Sequence, residues 1–318
     1  MSAFRCRLCP RQCGVLREEE NSPCRGGGEI RIARAALHHW EEPPVSGTDP
    51  SRGGSGAVFF TGCPLGCRYC QNREISSGEN PGREVTPEEL SAIFFHLISQ
   101  GAHNINLVTP THYAHKIRRA LLLKKVPVPV VYNTSGYERV EVLKSLEGLV
   151  DIYLPDYKYA ESSLARDLSG VGDYPERALE AIEEMVRQTG PPVFGTDGLM
   201  KRGTLIRHLI LPGHTKNSIR VLERIAREFP GIPVSLMAQY TPWGQAKAPG
   251  GIPGYPELSR SITRRELRKV QDVLFSLGLD GFVQSLQAKG GEFIPDFGGE
   301  LPLLSKNHSK ENQNGDKT

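Results

Sequence analysis

Three cysteines fall within eight residues in the stretch "FFTGCPLGCRYCQN", residues 59–72: Cys63, Cys67 and Cys70, spaced C-x3-C-x2-C. Thiolates bind zinc or build iron–sulfur centres. A structural zinc site takes four ligands, and so does a ferredoxin-type [4Fe–4S] cluster. Three thiolates on such a cluster leave one iron open to a substrate. The competing readings are a zinc site completed by a distant histidine such as His112, or plain buried cysteines. A second set, Cys6, Cys9, Cys13 and Cys24, has the four thiols that close a tetrahedral zinc site or hold a second [4Fe–4S] cluster. Unmetallated cysteines are the third reading of that set. All seven cysteines lie in the first 70 of 318 residues. Clustering of this kind points to metal binding rather than to scattered core packing.

The residues that follow have a rhythm able to position such a site. Apolar, β-branched runs at 57–62, 104–110, 128–134, 150–155, 205–211 and 232–238 read as strands covered on both faces, with a short seventh at 281–286. Helical patterns stand between them at 86–101, 113–125, 137–148, 174–190, 217–231 and 263–278. Two of these open on capping boxes, Thr86 with Glu89 and Thr263 with Glu266. Strands alternating with helices predict a parallel α/β fold, either a partial (β/α)6 barrel or a doubly wound sheet. In both, ligands sit at the carboxyl ends of the strands, and the cysteine triplet lies just past the first. Residues 1–56 lack the rhythm and carry Gly-rich runs, so they read as a Cys-rich N-terminal extension to a body at 57–290. Residues 291–318 read as a tail, with "SKNHSKENQNGDKT" from 305 expected to be disordered.

Composition removes several function classes. Net charge is only +3, with Lys and Arg spread along the chain, which gives no argument for nucleic acid or a membrane surface. No apolar stretch approaches 18 residues. The N-terminus has no apolar signal-peptide core, so a reducing cytoplasm is the expected compartment. Cysteines stand where a SAM-dependent methyltransferase would have a Gly-rich loop after the first strand. A non-catalytic metal-binding electron carrier would not need so large an α/β body.

The C-x3-C-x2-C spacing, with Tyr69 before the last cysteine, resembles the signature of the radical S-adenosylmethionine (SAM) superfamily. The longer string is similar to the activating enzymes of pyruvate formate-lyase and other glycyl radical enzymes. "HHWEEPPVSG", "NINLVTPTHY", "VYNTSGY", "YLPDYK" and "RHLILPG" resemble PflX-type proteins in that group, over residues 5 to about 290. The resemblance implies a partial (β/α)6 barrel of TIM type. It implies a [4Fe–4S] cluster on Cys63, Cys67 and Cys70, with SAM chelating the open iron. Reduction of the cluster then cleaves SAM to methionine and a 5′-deoxyadenosyl radical, which abstracts hydrogen. It also implies a flavodoxin or ferredoxin reductant. The substrate is either a backbone glycine of a glycyl radical enzyme, or a small molecule or peptide.

The same resemblance nominates further residues. Tyr69 would lie near the adenine. Relatives often end the second strand in Gly-Gly-Glu, which holds the SAM amino group; here Thr109-Pro110-Thr111 stands instead, making Thr109 and Thr111 the candidates. Asn133 and Ser135 occupy the end of the third strand. "PDYK" matches an Asp-x-Lys of activating enzymes, so Asp156 and Lys158 are candidates to order the methionine moiety. Of the neighbours Arg207 and His208, only one can face the barrel; His208 is the candidate ligand. His112 and His115 are expected at the rim, and no role is assigned to Glu41 and Glu42.

Overall fold

The structure is a computed structural model that describes residues 5–17, 22–283 and Phe297. Its strands are β1 (Ile30–His38), β2 (Gly54–Phe60), β3 (Arg83–Val85), β4 (Ala102–Val108), β5 (Val130–Thr134), β6 (Ile152–Pro155), β7 (Val193–Phe194), β8 (Met200–Thr204), β9 (Ile206–Leu209), β10 (Val234–Met237) and β11 (Gly281–Val283). The helices are α1 (Pro43–Ser46), α2 (Arg73–Ser76), α3 (Pro87–Ser99), α4 (Ala114–Leu123), α5 (Val140–Lys144), α6 (Ser162–Ser169), α7 (Tyr174–Thr189), α8 (Thr215–Glu228) and α9 (Arg264–Ser276).

β2, β4, β5 and β6 run parallel in an eight-stranded sheet of order β3-β1-β2-β4-β5-β6-β8-β7, and β9, β10 and β11 run parallel in a second sheet. The two are one wall. β8 passes through Leu205 into β9, and the Leu205 amide donates to the Tyr153 carbonyl at 3.0 Å. Higher up, Asp156 of the β6 end bridges Arg207 of β9 in parallel. The six runs expected at 57–62 to 232–238 thus form the six parallel strands of a partial (β/α)6 barrel. Their outward residues are covered by helices: Val58, Phe60, Ile105 and Leu107 pack under α3 and α4, and Ile206, Val234 and Leu236 under α7, α8 and α9. Both expected capping boxes are present, at Thr86 and Thr263.

The structure departs from the sequence reading in several places. The division at residue 56 is not a break. β1, inside the expected extension, pairs antiparallel with β2 from Ile32↔Phe60 to His38↔Ser55. Its alternating Arg and Ala residues hide it, because only one face is deeply buried. Next, α1 stops the N-terminal end of the barrel: Val45 packs on Val131, Ile152 and Leu205, and its carbonyl accepts from Asn104 Nδ2 at 2.7 Å. Lastly, the β7–β8 hairpin and α6 are elements that the strand–helix rhythm does not mark. The seventh strand is present as β11, while residues 284–286 lie outside the described residues, as does the tail apart from Phe297. That residue is buried against Phe59, ring centroids 5.5 Å apart.

Candidate active site

β2 delivers the chain to the carboxyl end of the barrel, where Gly62 turns it at φ +81° into Cys63. Cys63, Cys67 and Cys70 line a cavity of about 190 Å³ with Tyr69, Thr109, Asn133, Ser135, Asp156 and Lys158. Each sulfur has a hydrogen-bond donor beside it: the Leu65 amide at 3.4 Å from Cys63, the Ser169 hydroxyl at 3.2 Å from Cys67 and the Ser76 hydroxyl at 3.5 Å from Cys70. Ser169 is itself tied to Tyr159, whose phenol meets that of Tyr69 at 2.6 Å. Burial pushes the Cys63 thiol up to about 12 and raises that of Cys67. Thiolates there need a bound positive centre to offset their charge. Among the described residues no three His, Cys, Asp or Glu side chains are set to hold a single metal ion. An all-sulfur donor set around a cavity, each sulfur with a donor, suits the iron of a cluster. His112 does not complete a zinc site: it lines neither cavity described here, and its Nε2 donates to the Thr61 carbonyl at 2.7 Å.

Charge in the cavity is held by Arg207. Its guanidinium meets Asp156 at 2.8 Å, Asn133 Oδ1 at 2.6 Å, Glu41 at 3.4 Å and Glu42 at 3.9 Å. Lys158 forms a second, largely buried ion pair with Asp156. Burial works to raise the Asp156 carboxyl, but Arg207 and Lys158 outweigh it and hold it below its usual range. Burial raises Glu41 and Glu42, with Arg207 opposing in part. These two glutamates, with Trp40, Asn133 and Arg207, line an adjoining cavity of about 590 Å³.

Two nominated residues lie elsewhere. Arg207, not His208, faces the barrel. His208 points into the helical layer, fully buried, with Nδ1 donating to the Tyr157 carbonyl at 2.7 Å, and burial lowers it to about 4. The strand could not reveal this, because Leu205, Leu209, Ile206 and Ile210 make both of its faces apolar. Thr111 is buried away from the cavity and donates its hydroxyl to Glu138. Thr134 and Tyr132 donate to the same carboxylate, which burial still raises to about 7. Thr109 does reach the cavity, at φ +58°, a left-handed backbone that a β-branched residue rarely takes. His112 is buried rather than at the rim, and burial lowers it to about 3. His115 is exposed on α4. The N-terminal cysteines line neither cavity, but the Cys24 carbonyl accepts from the Cys63 amide at 2.8 Å.

The chain is similar to Uncharacterized protein MJ0674 of Methanocaldococcus jannaschii, 28% identical over 284 residues, covering 86% of this chain and 75% of that protein. It is also similar to the 7-carboxy-7-deazaguanine synthase of Methanothermobacter thermautotrophicus, 29% identical over 139 residues, covering 41% of this chain and 55% of that one. Among solved structures, Streptococcus suis SuiB bound to S-adenosylmethionine aligns with TM-score 0.46 and 13% identity, over 70% of this chain and 45% of SuiB. A domain of pyruvate-formate lyase-activating enzyme from Bacteroides vulgatus aligns with TM-score 0.36 and 16% identity, over 63% of this chain and 91% of that domain. The chain therefore spans less than half of SuiB, and at these scores no argument rests on either alignment. The family profile described as Radical SAM superfamily matches residues 57–225, more than half of the chain and the part that holds Cys63, Cys67 and Cys70, so the chain belongs to the radical SAM superfamily.

Proposed function

We propose that the protein removes a hydrogen atom from a substrate held in the larger of the two adjoining cavities. Membership of the superfamily implies a [4Fe–4S] cluster and SAM, which together supply a 5′-deoxyadenosyl radical on reduction. The chain's own part is to bind, orient and shield. Cys63, Cys67 and Cys70 offer three thiolates whose charge is eased by the Leu65, Ser169 and Ser76 donors. Asp156 and Lys158 offer opposite charges side by side, as the ammonium and carboxylate of a methionine moiety require. The observation that carries this reading is that the three cysteines and this ion pair line one cavity at the carboxyl ends of the parallel strands.

The PflX-like strings point to a backbone glycine of a glycyl radical enzyme as the substrate. The lining of the larger cavity favours a second reading, a small polar molecule. Buried Glu41, Glu42 and Arg207 have nothing to bind in a glycine methylene, and about 590 Å³ is ordinary for a small-molecule site. A flavodoxin or ferredoxin is the proposed reductant and the cytoplasm the proposed location. No helix among the described residues is long and apolar enough to cross a membrane.

The test is anaerobic reconstitution with iron and sulfide, followed by dithionite and SAM, with 5′-deoxyadenosine read by chromatography. Product that disappears in a Cys63→Ala, Cys67→Ala, Cys70→Ala variant is expected. Zinc in place of iron at these cysteines, with no cleavage, would overturn the reading.

A further inference from the structure

We propose that Cys6, Cys9, Cys13 and Cys24 hold a second iron–sulfur cluster, which takes single electrons from a flavodoxin- or ferredoxin-type carrier and hands them to the Cys63–Cys67–Cys70 site. The destination of the electron rests on the radical SAM reading; the metal site itself does not.

The N-terminal chain folds its cysteines together. Arg5 and Leu16 form an antiparallel bridge. Inside it, the Cys6 amide donates to the Val15 carbonyl at 2.9 Å and Gly14 donates back to Cys6 at 3.0 Å. At the tip, Gln12 donates to the Cys9 carbonyl at 3.0 Å. Cys24 arrives from beyond this hairpin, its thiol within electrostatic reach of Cys6 and Cys9. Cys6, Cys9 and Cys24 are buried, Cys13 is partly exposed, and none is in a disulfide. Arg17 Nη2 and the Ser22 hydroxyl stand 3.9 and 3.7 Å from the Cys24 sulfur. Hydrogen bonds to sulfur of this kind tune cluster potentials.

The choice between zinc and a cluster follows from what the site adjoins.

The junction between the two sets gives the second site its use. The Cys63 amide donates to the Cys24 carbonyl at 2.8 Å. Glycine at 62 permits the approach, because a Cβ there would lie 2.4 Å from that carbonyl. Arg11 clamps the same loop, with Nε donating to the Pro64 carbonyl at 2.5 Å and Nη2 to that of Leu65 at 3.4 Å. A sulfur on each side is thus joined by covalent bonds and one peptide hydrogen bond. Zinc has no redox chemistry and could not use such a path; a cluster can. In the transfer the carrier loses one electron, the second cluster gains and then loses it, and the triplet's cluster gains it. No bond is made or broken and no proton moves.

The experiment counts metal first. Reconstituted protein should hold about eight irons per chain, and both the Cys6→Ser/Cys9→Ser variant and the Cys63→Ala, Cys67→Ala, Cys70→Ala variant about four. Zinc on the N-terminal set, or four irons in the parent, overturns the site. In the Cys63→Ala, Cys67→Ala, Cys70→Ala variant, reduced flavodoxin should still produce the paramagnetic resonance signal of one reduced cluster; its absence overturns the proposal even if the other variant fails to fold. In the Cys6→Ser/Cys9→Ser variant, the ratio of flavodoxin-driven to dithionite-driven 5′-deoxyadenosine formation should fall at least tenfold. An unchanged ratio overturns the relay. Failure of the radical SAM reading looks different: the parent would form no 5′-deoxyadenosine with dithionite, whatever its iron count.

Discussion

Glu138 is a carboxylate with three hydroxyl donors, from Thr111, Thr134 and Tyr132, and yet burial raises it to about 7. Between its unfolded value near 4.5 and about 7 the folded state binds the extra proton, so stability falls as pH rises through that window and is flat above it. A shift of this size amounts to about 3 kcal/mol from one group. Urea denaturation at pH 5 and pH 8 should show the loss, and Glu138→Gln should reduce it. Glu41 and Glu42, raised by burial, act in the same direction. Arg207 is the opposite case, a buried cation facing three acids. Arg207→Ala leaves Asp156, Glu41 and Glu42 short of their partner and should cost about 3–5 kcal/mol in the same measurement. Lysine at 207 should recover little, since one ammonium cannot reproduce the guanidinium's contacts to Asp156 and Asn133.

At the scale of elements, the turn after β4 stores strain. Thr109 is held at φ +58°, its amide bonded to the Asn133 carbonyl at 2.9 Å. Such a residue costs roughly 1–3 kcal/mol, while glycine adds unfolded-state entropy worth about 0.4–1 kcal/mol. Thr109→Gly should therefore raise stability by about 1 kcal/mol, read as a higher denaturation midpoint. Helix starts are the simpler part of the molecule. Thr86 and Thr263 were legible as caps because a capping box is set by residues three apart. By contrast, α5 covers only Val140–Lys144 of the helix expected at 137–148. Its start gives way to the Gly136 turn, where a Cβ would lie 2.3 Å from the Asp156 carbonyl.

At the scale of the whole molecule, the N-terminal segment is built into the barrel. β1 pairs with both β2 and β3, α1 closes the barrel floor, and Glu42 reaches Ser235 of β10 at 2.9 Å. A chain beginning at residue 57 should lose cooperative thermal unfolding, although it keeps every residue of the cysteine triplet; a sharp melt would show that the barrel is independent. Local information was enough for the cysteine spacing, the six strand–helix units and the two capping boxes, because ligand spacing and hydrophobic period are written in neighbouring residues. Only the tertiary structure decided that Arg207 faces inward and His208 outward, because a strand apolar on both faces carries no sign of which is inside. It alone brought Glu41 to Arg207 across 166 residues, hung Glu138 under Thr111, and set Cys24 against Cys63. Partners that far apart along a chain are fixed by the way the barrel closes, and no spacing in the sequence records that closure.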